Sequence, residues 1–64
     1  MVRIKRGNFI FLIRKSDHPP RHVHVYRDRE EILKWDLDGW RFLSGTLLFR
    51  VLRLLIELRR EGRL

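Results

Sequence analysis

The sequence predicts an α+β domain, an antiparallel sheet of three or four strands with one C-terminal amphipathic helix packed on one face. Two observations carry this expectation. Apolar residues alternate with period two through much of the first two thirds of the chain, and from Ser44 onward the period becomes helical. Gly, Pro and Asp punctuate the alternating part and divide it into short strands. One domain takes residues 1–64, with the sheet over about 2–43 and the helix over about 45–61.

Gly7-Asn8 is a turn or bulge signal. Phe9-Ile-Phe-Leu-Ile13 is β-branched and aromatic and reads as the first strand, ending at Arg14-Lys15. Ser16-Asp17-His18-Pro19-Pro20 is a loop, because proline has no N–H to give a sheet. His22 to Tyr26 alternates again and makes the second strand, with Asp28-Arg29-Glu30 as its turn. In the third strand, Glu31 to Leu37, the residues Leu33, Trp35 and Leu37 share one face, and Ile32, Lys34 and Asp36 share the other. Asp38-Gly39 is a hairpin signal, so Trp40 to Leu43 forms a short fourth strand. Ser44 or Thr46 can cap the helix that follows, and Gly62 stands where a C′ glycine is expected.

The helix has more apolar surface than one small sheet covers. At about 100° per residue, Arg50, Arg53, Glu57, Arg60 and Glu61 fall in a stripe about 100° wide, and leucine, valine, isoleucine and phenylalanine fill most of the rest. The Phe9–Ile13 strand is apolar on both faces, with Phe9, Phe11 and Ile13 on one and Ile10 and Leu12 on the other. Surplus of this kind points to a second copy of the chain or a cognate small protein, and Phe49, Leu52 and Ile56 are the interface residues it suggests. The alternative is that the N-terminal segment or the last hairpin folds over the excess.

Size sharpens the point. A domain of 64 residues buries only about 60% of the surface its unfolded chain exposes, a deficit that small domains usually make up with disulfides, a metal, a partner subunit or unusually tight packing. There is no cysteine, which removes disulfides and thiolate metal sites. The segment Met1 to Arg6 is basic and Phe9 to Ile13 is apolar, but five apolar residues are too few for a signal peptide and no run approaches a membrane span. A cytoplasmic protein without a membrane partner is expected.

Charge supplies the first functional hint. Fifteen Lys and Arg face eight Asp and Glu, a formal charge of +7, and twelve of the fifteen are arginine. Such a body attracts nucleic acid or an acidic protein, since guanidinium pairs bidentately with phosphate and with carboxylate. Arg3, Lys5, Arg6, Arg14 and Lys15 flank the Phe9–Ile13 strand and, with Lys34, form the nucleic-acid patch the sequence suggests. Trp35 reads as core, and Trp40 and Phe42 read as cover for the hairpin rather than as base-stacking platforms. Arg50, Arg53 and Arg60 read as a solvated helix face bridged to Glu57.

The chemistry-bearing feature is the cluster His18, His22, His24. With Val23 and Val25 facing the helix, His22, His24 and Tyr26 project from the other side of the sheet and are joined there by Lys34 and Asp36. Three readings follow. In one, His18, His22 and His24 bind a transition metal, helped by Asp17 or Asp36. In another, His22 and His24 are acid–base groups in metal-independent RNA cleavage, with Arg21, Lys34 and Tyr26 stabilising phosphate charge; no cofactor is needed. In the third, the histidines are polar members of a binding face, and His18 organises the proline loop.

At the string Asp17-His-Pro-Pro-Arg-His-Val-His-Val25 the chain resembles family 4160 of the bacterial and archaeal domains of unknown function. That family carries a histidine-rich signature between an apolar strand and a charged hairpin, and ends in an amphipathic helix. The resemblance covers nearly the whole chain, up to Leu52-Arg-Leu-Leu-Ile-Glu-Leu-Arg-Arg-Glu-Gly-Arg-Leu64. The family's short acidic linker is replaced here by the basic and aromatic Trp40-Arg-Phe-Leu-Ser-Gly45. The resemblance implies a component of a two-protein, toxin–antitoxin-type system. The leading expectation is therefore a toxin-like or RNA-interacting protein working with a partner; the alternatives are a non-enzymatic dimerising module for nucleic acid or an acidic protein, and a histidine-based metal binder.

Overall fold

A computed structural model of the chain describes residues 2–14 and 21–64. It is α+β: strands β1 (Val2–Arg6), β2 (Phe9–Ile13), β3 (His22–Arg27), β4 (Glu30–Asp36) and β5 (Arg41–Gly45) precede a single helix, α1 (Phe49–Arg60). The strands form one antiparallel sheet in chain order, so every neighbour in space is a neighbour in sequence.

There are five strands rather than three or four. The additional one is β1. Its alternation rests on only two apolar residues, Val2 and Ile4, and the intervening Arg3 and Lys5 make it read as a basic arm. Charged side chains of that kind are what an edge strand uses to discourage pairing with another sheet. A two-residue turn at Gly7-Asn8 sets Arg6 opposite Phe9 and Ile4 opposite Phe11.

The other hairpins refine the sequence boundaries. Asp28 and Arg29 both have positive φ, 52° and 69°, and Arg27 pairs with Glu30. This is the two-residue loop whose twist matches the flanking strands, so β4 begins at Glu30, one residue before the expected start. Between β4 and β5 the loop is Leu37–Trp40, and the left-handed residue is Trp40 rather than Gly39. Gly39 serves close approach instead: a Cβ there would lie 2.7 Å from Oδ2 of Asp36.

The helix begins later than expected. Neither Ser44 nor Thr46 caps it; Ser44 lies within β5, Thr46 donates its backbone N–H to the carbonyl of Ile32 at 2.8 Å, and Leu48 occupies the cap position without a side-chain hydrogen bond. The strand runs on because Gly45, at φ 99°, lets β5 pass hard against β4; a Cβ would meet the backbone of Ile32 and Leu33. The C-terminal expectation matches the structure. Gly62 N–H donates to the carbonyl of Arg59 and Arg63 N–H to that of Leu58, the paired bonds of a Schellman ending.

The core lies between α1 and one face of the sheet. Val51, Leu55 and Leu58 of the helix pack with Ile4, Phe9, Phe11, Val23, Val25, Leu33 and Trp35 from β1 to β4. Trp40 closes one side, edge-on to Trp35 at 5.5 Å and beneath the guanidinium of Arg59 at 4.3 Å. At another edge, Arg6 forms a two-point ion pair with Glu61, at 3.0 and 2.5 Å, which ties β1 to the end of the helix. Among the described residues no helix is long and apolar enough to cross a membrane.

Candidate functional site

The face of the sheet turned away from α1 is built by register. Val23 and Val25 point to the core, so His22, His24 and Tyr26 point outward. Across the sheet, Leu12 pairs with His24, His24 with Lys34 and Lys34 with Ser44, one row on the outer face. A second row sets Lys5, Ile10, Tyr26 and Glu31 side by side, and a third His22, Asp36 and Arg41. Arg3, opposite Leu12, completes the cationic margin on β1.

His24 sits at the centre and is only 5% exposed. Its Nδ1 shares a hydrogen bond with Oε1 of Glu31 at 2.5 Å, and the His22 ring stands edge-on to it at 4.9 Å. Arg14 donates to the Tyr26 hydroxyl at 3.1 Å. Arg14 follows Leu12 by two residues and Tyr26 follows His24 by two, so this bond runs diagonally across the Leu12–His24 pair. It explains how a histidine on the outer face comes to be buried.

Asp36 anchors the other end. It is 2% exposed and accepts hydrogen bonds from the N–H of Asp38 and of Gly39, each at 2.9 Å, while Arg41 Nε lies 3.4 Å from its Oδ2. The Gly39 N–H, against the opposing effect of burial, holds this carboxyl below its ordinary range, with the Asp38 N–H and Arg41 adding to the effect. Asp36 is therefore an ionised hairpin anchor, and Arg41 is the cation it places on the outer face.

The expected site residues fall into groups. His22, His24, Tyr26, Lys34 and Asp36 share the outer face as anticipated, and Arg3, Lys5 and Arg14 border it. Arg6 does not: it lies on the helix side, paired with Glu61 and 4.0 Å from Glu57. Arg21, expected to stabilise phosphate charge, directs its backbone N–H to Asp38 at 2.8 Å, and its guanidinium lies 3.9 Å from the same carboxylate. Lys15, Asp17 and His18 lie outside the described residues, and with them the loop role and one metal ligand. Among the described residues no three His, Cys, Asp or Glu side chains gather where they could hold a metal ion.

Two site residues escaped the sequence reading. Arg41 was hidden in a short, ambiguous strand. Glu31 is turned outward by a bulge: Val25 pairs with Leu33, yet Tyr26 pairs with Glu31, leaving Ile32 as the extra residue. The signal was present. Counting from a two-residue turn at Asp28-Arg29 pairs Tyr26 with Glu31, whereas matching the apolar faces pairs Val25 with Leu33. Both hold only if one residue bulges.

Compared with family models, curated proteins and solved structures, the chain gives no match.

Proposed function

We propose that this chain binds RNA on the outer face of its sheet and works alongside a cognate protein in the cytoplasm. The observation that carries the reading is the composition of that face. Arg3, Lys5, Arg14 and Lys34 surround His22 and Tyr26, and the face's two carboxylates are already engaged, Glu31 by His24 and Asp36 by the hairpin and Arg41. Cations track a phosphate backbone, and flat rings offer stacking surfaces to unpaired bases. Shape favours a single strand. The molecule measures 26 × 25 × 20 Å, so a five-stranded sheet presented face-on is broader than the roughly 12 Å major groove of B-DNA. The two-protein arrangement is what the resemblance of the Asp17–Val25 string implies.

A second reading, metal-independent cleavage of the bound RNA, is favoured by one feature. A carboxylate orients an imidazole that stands against a second imidazole, an arrangement able to move protons near neutral pH. In this reading His22, less buried than His24, exchanges the proton, while Glu31 and His24 position it.

Fluorescence anisotropy with a labelled 12-nucleotide RNA tests both. Binding is expected to weaken with salt, log K falling against log [salt] with a slope of about −2 to −3 for three to four phosphate contacts. The pair Arg3→Glu and Lys5→Glu should weaken it at least about tenfold, and Arg53→Glu on the helix should not. Equal loss from all three would remove the outer face as the site. If the RNA is cut, His22→Ala should abolish cutting; undiminished cutting by that variant would refute the catalytic reading.

A further inference from the structure

The helix side carries a second surface of different chemistry. Phe49, at the start of α1, is 82% exposed. At about 100° per residue, Phe49, Leu52 and Ile56 fall within about 60° of one another, and Arg53 and Arg60 border them. Beside Phe49 lies a cleft of 270 Å³ lined by Phe9, Arg27, Leu48, Phe49 and Arg50. Phe9 and Leu48 supply apolar walls, and Arg27 and Arg50 stand at the margin.

The charges on this side are unbalanced. Glu57 and Glu61 are turned to Arg6, and Arg59 lies on Trp40. Among the described residues, Arg27, Arg50, Arg53 and Arg60 have no carboxylate within ion-pair distance. The first turn of α1 has no acidic residue, so nothing offsets the positive end of the helix dipole beside the cleft.

We infer that this face docks an acidic amphipathic segment of a partner protein, which seats one apolar side chain in the cleft and sets its carboxylates on Arg27, Arg50 and Arg53. Charge complementarity selects the occupant. A second copy, itself at +7, would bring arginines against arginines. The cleft sets apolar Phe9, Leu48 and Phe49 beside Arg27 and Arg50, a lining that fits an apolar side chain flanked by carboxylates. Phe49, 82% exposed, and Ile56, 36% exposed, offer apolar surface outside the cleft, while Leu52 between them packs against the core. The inference stands apart from the RNA reading, which concerns the opposite face.

The test titrates the whole chain into a fluorescein-labelled 15-residue synthetic peptide with leucine on one helical face and glutamate on the other. Saturable one-to-one binding is expected, with Kd below about 100 μM at low salt. Arg27→Glu with Arg50→Glu, and separately Phe49→Ser, should each weaken it at least about tenfold with unchanged circular dichroism. Arg3→Glu with Lys5→Glu should leave it unchanged, even where that pair abolishes RNA binding. The inference is overturned by absence of saturable binding, or by equal binding of a peptide with glutamine in place of glutamate. It is also overturned if light scattering finds a dimer that Phe49→Ser dissolves. Displacement of the peptide by the 12-nucleotide RNA, or tighter binding to phosphatidylglycerol vesicles with the same Phe49 and Arg50 dependence, would reassign the surface to RNA or lipid and reject it.

Discussion

Glu31 reaches His24 because β4 carries one residue more than its partner strand across the bulge. That single insertion converts a face of alternating residues into one with an oriented imidazole, and it could not be read from alternation alone. Removing the carboxylate by Glu31→Ala should cost about 1–2 kcal/mol, because it takes away the part-buried hydrogen bond at His24 Nδ1; urea unfolding at neutral pH measures it. Gly45 is the less forgiving residue. Alanine there combines a φ of 99° with a Cβ against the backbone of Ile32 and Leu33, so a loss of at least about 2 kcal/mol is expected. Gly62→Ala, with open space around it, should cost about 1 kcal/mol. Equal midpoints for the two variants would show that the close approach at Gly45 carries no cost.

At the scale of elements, the strands with strong alternation were legible and their boundaries less so. β3, and β4 from Leu33 onward, showed their inward and outward faces because valine, leucine and tryptophan alternate there with charged residues and histidine. Ile32, expected on the outer face, packs against the core instead, and Glu31 takes the outward place. β1 was not legible, since two apolar residues among three basic ones carry too little pattern. The helix start was misplaced because Ser44 and Thr46 are good capping types, yet the backbone there is held in the sheet by the Ile32 carbonyl. Two carboxylates join elements, and their direction sets an acid limit. The Arg6 guanidinium, outweighing desolvation, holds Glu61 below its ordinary range, as the Gly39 N–H holds Asp36. Both have folded-state values below the unfolded ones, so their contribution is present above about pH 4 and is lost as pH falls through the folded values. Thermal melts should therefore show Tm falling below about pH 4, and Asp36→Asn with Glu61→Gln should flatten that fall. An unchanged slope would mean that neither pair is linked to folding.

For the whole molecule, the α+β architecture followed from one change of period in the sequence, and the division of the sheet into a core face and an outer face followed from strand parity. What parity could not give was which cations are consumed by contacts: Arg6 and Arg21 look like Arg3 and Lys5 until the fold sets Glu61 and Asp38 beside them. The core is small. Leu55→Ala should cost about 2–5 kcal/mol, against a total of roughly 3–10 kcal/mol for a domain of this length, and broaden or abolish the thermal transition. The chain-order meander also has a kinetic meaning. Each strand pairs with its neighbour in sequence, so the sheet assembles by short closures, whereas the Arg6–Glu61 link joins residues 55 apart. A contact so distant in the chain is expected to form after the rate-limiting step. Glu61→Gln should then accelerate unfolding while leaving the refolding limb of the chevron almost where it was.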